Sequence, residues 1–212
     1  MTHTRSTPAS QKANLPVPSG AHLDERSRRA REEPMSVTSF GGDVYEVETE
    51  SGNRYLANVV AGTCTCPDHV FREARCKHLR RVAIEITEGR VPPPGHVAVP
   101  CSVCSESVFV PTGSDEPHLC PRHRFQRGDV ARDRETGGLV LVVATSDRRA
   151  DEVRVPSHDC TVAEYATNRD YPADDPVVSA VYPAVRVTDD GPEPGSLRVY
   201  TFPVSRLERP DV

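Results

Sequence analysis

A chain of 212 residues with 36% hydrophobic residues, 5% aromatics, no Trp and 20 prolines excludes one large apolar core and points to two or three small units. Units below about 70–80 residues are commonly held together by metal or disulfides, and seven Cys with eight His supply the donors. A net charge of −5 excludes a uniformly basic nucleic-acid coat, although the charge is uneven: six basic against four acidic residues over 1–35, seven against eight over 36–90, thirteen against nineteen over 91–212.

Residues 1–35 mix Pro, Ser, Arg and Glu without a sustained apolar period and read as a disordered arm. A short helix from His22 to Glu33 is compatible with them, its Arg26, Arg28, Arg29 and Arg31 forming a solvated face. Asp43 to Thr49 alternates like a strand, Ser51-Gly52-Asn53 is a turn, and Arg54 to Val60 reads as the returning strand of a hairpin. From Arg75 to Glu88 the apolar residues Leu79, Val82, Ala83 and Ile86 keep the period of an amphipathic helix, with Gly89 as its stop. Residues 91–98, opening Val91-Pro92-Pro93-Pro94-Gly95, are a stiff linker. A Cys/His unit follows over 99–124, with a strand from Glu106 to Val110 and a turn at Thr112 to Asp115. Beyond it, residues 125–208 read as a small β domain. Strands are expected around Leu139 to Ala144, Glu152 to Val155, Ala184 to Val187 and Leu197 to Phe202, with one helical turn at Thr161 to Ala166, giving a small β-barrel or a curled sheet. The fold class expected is α+β, built from small metal-stabilised modules.

The start MTHTRSTPASQKANLP lacks the apolar segment of a signal peptide, and the longest apolar run is far short of the roughly 20 residues that span a bilayer. We therefore expect a cytoplasmic protein with no membrane partner, whose reduced, clustered cysteines hold metal. Only Lys12 and Lys77 are lysines, and Ile occurs only at Ile84 and Ile86. Such usage suggests a high-GC genome and, with the acidic second half, a haloarchaeal source.

Two clusters carry metal-ligand spacing. Cys64, Cys66, Cys76 and His78 form C-x-C-x9-C-x-H, a closed Cys3His set suited to structural Zn2+; His69 is a rival fourth ligand. Residues two apart on a regular helix point about 200° away from each other, so Cys76 and His78 converge only if they straddle the helix start. Cys101, Cys104, Cys120 and His123 form C-x2-C-x15-C-x2-H, two knuckles of zinc-ribbon type, with His118 as the alternative ligand. Cys160 stands apart and reads as a buried small apolar residue.

The order hairpin, C-x-C, C-x-H, helix over roughly 43–90 resembles the SWIM zinc finger, with Cys64, Cys66, Cys76 and His78 at the family's ligand positions. The resemblance implies a ββα finger over 36–90 that binds DNA or another protein. Arg72, Arg75, Lys77, Arg80 and Arg81 around the helix start form a basic patch fit for phosphates. The function expected is therefore nucleic-acid binding through this finger; a protein–protein adaptor with purely structural zinc is the alternative. No P-loop, G-x-S-x-G, H-E-x-x-H or deaminase-type signature occurs, and Asp174-Asp175 and Asp189-Asp190 read as solvated turn residues. Neither an enzyme nor a small-molecule substrate is expected.

Overall fold

A computed structural model of the chain describes residues 9–20, 22–183, 185–188, 191–194 and 197–210. The fold is α+β and divides into two compact units. One runs up to Val99 and includes Phe109–Ser114; the other comprises Pro100–Val108 and the chain from Asp115. No helix among the described residues is long and apolar enough to cross a membrane.

In the first unit the strands β1 (Met35–Ser39), β2 (Val44–Thr49), β3 (Arg54–Asn58) and β4 (Thr63–Cys64) form an antiparallel sheet in chain order. The expected hairpin is β2–β3, with Val47 opposite Tyr55 and Gly52 at φ 82° in its turn, a conformation that glycine adopts without penalty. Alternation turns Tyr45 and Val47 inward onto Met35, Val37 and Ala57. Glu46 and Glu48 look outward and pair with Arg54. Helix α3 (Lys77–Thr87) lays Leu79 and Val82 on this core, with Ile86 at its rim, and Gly89 follows at φ 67°.

Within residues 1–35, the described residues 9–20 and 22–35 are not the disordered arm expected. Among the described residues, Ser10 N–H donates to the Val37 carbonyl, Leu15 N–H donates to that of Arg31, and Leu15 is buried. Helix α1 (Glu25–Glu32) is capped by Asp24, which accepts from the Ser27 amide. Its Ala30 is buried and the helix packs beside α3. The proline-rich run is docked as well: Val91 enters the core, and the Pro92 carbonyl accepts from the Tyr45 hydroxyl at 2.9 Å.

Strands β5 (His96–Pro100) and β6 (Ser107–Pro111) form a two-stranded ribbon. The later part of the chain supplies β7 (Val130–Asp133), β8 (Leu139–Arg149), β9 (Pro176–Val181), the small hairpin β10 (Val185–Thr188) and β11 (Gly191–Pro194), β12 (Val199–Pro203) and β13 (Leu207–Glu208). Five of these make an antiparallel sheet in the order β12-β9-β8-β7-β13. One face carries Ala131, Val140, Val142, Val178, Ala180 and Phe202 into a core closed by Phe125, Val204 and Leu207. Register shifts in β8 between Val142 and Ala144, and again between Ser146 and Arg149, bend the strand, as bulges do. The sheet is thus open with two edges.

Two expectations change here. The strand at Glu152 to Val155 reduces to one bridge, Arg154 with Thr161. The helical turn expected at Thr161 to Ala166 is present, closed by Tyr165 N–H donating to the Thr161 carbonyl at 3.1 Å, and a 3-10 turn follows at Ala166–Asn168. The central strand β9 was not anticipated, because Pro176-Val177-Val178 reads as a loop exit. Of the strand expected at Ala184 to Val187, Ala184 lies outside the described residues, as do Asp189 and Asp190.

Candidate metal centres

The first cluster is assembled by four element ends. Cys64 closes β4, Cys66 caps the short helix α2 (Pro67–Arg72), Cys76 caps α3, and His78 sits in α3's first turn. Pro67 suits the first helical position because its missing N–H would have no partner there. Cys76 keeps extended backbone, φ −68° and ψ 170°. Cys76 and His78 therefore straddle the helix start as the two-residue spacing requires, and all four side chains turn to one point.

The donor atoms of Cys64, Cys66, Cys76 and His78 lie within 4.8 Å of one another, and all four residues are buried. A zinc tetrahedron with bonds of about 2.3 Å to sulfur and about 2.0–2.1 Å to nitrogen has edges of roughly 3.5–3.8 Å. Cys64 Sγ lies 3.9 Å from His78 Nδ1. The His78 ring is stacked on Tyr55 at 4.6 Å, and its Nε2 is buried without a hydrogen-bond partner among the described residues. A buried imidazole set among three sulfurs is the donor arrangement of a Cys3His ligand set. The closeness of Cys64 and Cys76 drives their acidities apart: the Cys76 thiol is drawn down by its Cys64 neighbour, while that neighbour pushes Cys64 up. The rival His69 turns its Nδ1 to the Ala74 carbonyl at 3.0 Å and is not among the four.

The second cluster, Cys101, Cys104, Cys120 and His123, also has its donor atoms within 4.8 Å of one another, with Cys104 exposed and the rest buried. His123 Nδ1 is 3.3 Å from Cys120 Sγ and 3.6 Å from Cys101 Sγ, and Cys104 Sγ is 3.9 Å from Cys120 Sγ, again close to tetrahedral edges. Burial pushes the Cys101 thiol up. Backbone amides of Cys120, Cys104 and Val103 outweigh that and draw it down to about 6, preparing the thiolate that a metal needs. His118 contributes its backbone to this loop, its carbonyl accepting from Ser102 N–H at 2.8 Å, and it is not among the four. Cys160 is half-buried rather than a core residue.

The basic patch does not survive as expected. Arg81 is 0% exposed. It pairs with buried Glu85 at 2.7 Å and donates to the carbonyls of Ala13 at 2.6 Å and Met35 at 2.7 Å, with a longer bond to Ala30. Its guanidinium is the pin that holds the amino-terminal stretch, so it cannot reach a phosphate. Lys77 pairs with Glu33, Arg80 with Asp24, and Arg72 with Asp68, which also takes Arg26. Arg75 alone of the five is exposed with no acidic partner among the described residues. The sign of Arg81's burial was present in the sequence. His78, Arg81, Val82 and Glu85 follow i, i+3, i+4, i+7, the face that carries the metal ligand inward.

Asp175, expected as a solvated turn residue, is buried and accepts from the Ser205 amide at 3.0 Å; burial raises its pKa, making it a weaker acid. Asp133, unremarked in the sequence, anchors a buried network: Arg206 contacts both its oxygens at 2.7 and 2.8 Å, and the Tyr182 and Thr136 hydroxyls donate to it.

Against known proteins, no family model, no curated protein and no solved structure matches the chain. The two Cys3His clusters, each able to hold a metal ion, are therefore the features that define the chain's class.

Proposed function

We propose that this chain is a non-enzymatic adaptor in which each Cys3His cluster holds one structural Zn2+. Cys64, Cys66, Cys76 and His78 would hold the first ion, and Cys101, Cys104, Cys120 and His123 the second. The observation that carries this reading is that each cluster already offers four donors of the type zinc prefers, so a bound ion has no open position for water or substrate. Bound zinc supplies cross-linking and charge compensation for thiolates in a small core; the protein supplies the surfaces around it.

The adaptor role is favoured over nucleic-acid binding because, of the five cationic side chains near the first centre, one is buried and three face carboxylates. Arg81 is buried, and Lys77, Arg80 and Arg72 face Glu33, Asp24 and Asp68. Metal analysis of the purified chain is expected to give two zinc ions per molecule, and titration with duplex and single-stranded DNA at rising salt is expected to give no specific binding. One zinc or none would refute the metal assignment. Tight DNA binding with a log–log salt slope of about −3 or steeper, equivalent to three or more phosphate contacts, would refute the adaptor role and restore the finger as a nucleic-acid surface.

A further inference from the structure

The five-stranded sheet ends on β12, which pairs with β9 on one side only. Among the described residues, no backbone group outside β9 bonds to Val199–Pro203. Proteins usually blunt such an edge with charge, bulges or a covering segment. Here the strand shows Val199 at 57% and Tyr200 at 39% exposure.

Beside it lies a cleft of about 570 Å³, lined by Arg198 to Phe202 in unbroken succession, which includes residues from both faces of the strand, and also by Val155 to His158 and Tyr165. A cleft touched by consecutive residues of one strand runs along the strand's edge. Its aromatic part is a corner in which Tyr182 meets Tyr200 at 5.5 Å and Phe202 at 6.4 Å, both edge to face.

The charge of the cleft is as informative as its shape. No carboxylate lines it among the described residues, although the chain has 31 acidic residues. Arg206 at its base is neutralised by Asp133. Arg198 stands at the rim, its guanidinium 5.4 Å from the Tyr200 ring centre and donating to the Ser157 hydroxyl at 3.2 Å. The Tyr200 ring face that could hold a cation is already taken by Arg198, no acid of the lining would pair with a cationic guest, and an arginine at the rim attracts a carboxylate. An open strand edge offers alternating N–H and C=O groups to another extended backbone.

We propose that the β12 edge is a peptide-docking site, at which an extended, acidic segment of a partner protein adds as a further strand. Apolar side chains on one face of that segment enter the Tyr182–Tyr200 corner, and a carboxylate flanking them on the same face meets Arg198, which lies over the Tyr200 ring. The site rests on the adaptor reading and gives it a surface and a partner chemistry.

The test uses the full zinc-loaded chain and a fluorescein-labelled octapeptide, Glu-Thr-Val-Thr-Phe-Thr-Glu-Thr, whose two Glu flank Val and Phe on one strand face, read by anisotropy. Three comparison probes accompany it: the same peptide with Lys for Glu, the same peptide N-methylated at alternate residues, and an eight-nucleotide oligo-dT. Saturable binding of the acidic peptide is expected, weakened at least about tenfold by the Lys exchange, because the rim charge then repels, and by N-methylation, because the edge then loses its partners. Arg198→Glu, a change at an exposed position, is expected to weaken the acidic peptide by a similar factor while leaving the unfolding midpoint unchanged. Equal binding of the N-methylated peptide overturns strand addition, and equal binding of the Lys peptide overturns the charge assignment. Preference for oligo-dT overturns both this site and the adaptor reading. Absence of peptide binding, with two zinc ions present and no DNA binding, overturns this site alone.

Discussion

Arg81→Ala separates a buried pin from a phosphate contact. In the folded chain the guanidinium is paired with Glu85, itself buried, and satisfies the carbonyls of Ala13 and Met35. Removing it strands a carboxylate whose Oε2 already lacks a partner, and breaking a buried pair from one side costs about 3–5 kcal/mol. The orphaned carbonyls add about 1–3 kcal/mol, although solvent entering the space left behind recovers part of this. A loss on the order of 4–6 kcal/mol is expected, a large share of a domain's typical 5–15 kcal/mol. Arg81→Met with Glu85→Leu removes both charges together and is expected to recover most of the loss. Because the chain has two units, one midpoint would blend them. Urea-dependent hydrogen exchange at the amides of β2 and β3 reads the first unit alone. A change below about 1 kcal/mol for Arg81→Ala, the size of an ordinary surface substitution, would show that the side chain is free and that the pin does not exist.

Cys76→Ser is expected to abolish metal retention in the first centre and unfold that unit, since structural zinc contributes on the order of 10–16 kcal/mol in small finger peptides; an unchanged circular dichroism spectrum with two zinc ions retained would contradict it. In the second centre, Cys104 is the one exposed ligand, so alkylation of the zinc-loaded protein, mapped by peptide mass spectrometry, is expected to label Cys104 before Cys101 or Cys120. Equal labelling would argue against a bound ion shielding the buried pair. Burial pushes the Asp133 carboxyl up, but Arg206, with the Tyr182 and Thr136 hydroxyls, outweighs it and holds the group well below its ordinary value. The unfolded chain therefore takes up this proton first as pH falls, so the contribution is complete above an unfolded value of about 3.9 and is lost on acidification toward the folded value. Asp133→Asn is expected to lower stability at pH 7 by about 3–5 kcal/mol and to flatten acid unfolding below about pH 5; an unaltered acid profile in equilibrium unfolding would speak against the network.

The metal clusters and the elements next to them were legible because ligand spacing is short-range information. C-x-C and C-x-H place four donors within fifteen residues, and Leu79, Val82 and Ile86 mark the helix on which the last of them sits. The long-range pairings were not legible. The spacing from His78 turns Arg81 inward, but the carbonyls that receive it are unknown until Ala13 and Met35 are brought to it. The prolines at Pro92 to Pro94 read as a spacer because nothing local reveals that Tyr45 donates to Pro92. Strand β9 was hidden by Pro176 at its start, a position where a strand tolerates proline, and by apolar residues on both faces, which removes the alternation that marked β2. The β12 cleft escaped notice because its aromatic residues, Tyr182 and Tyr200, are distant in sequence and meet only through strand pairing.

The order of strands in the second sheet also constrains how the protein can be made. β8 must wait for β9, more than two dozen residues later, and β7 finds its outer neighbour only when Leu207 and Glu208 have been synthesised. The first sheet, by contrast, has all its strands by Cys64 and its ligands by His78. During translation the first sheet can therefore form on the ribosome before the second begins. The later unit, with its own Cys3His cluster, meanwhile remains an open chain, and it is in that interval that a chaperone would act on it.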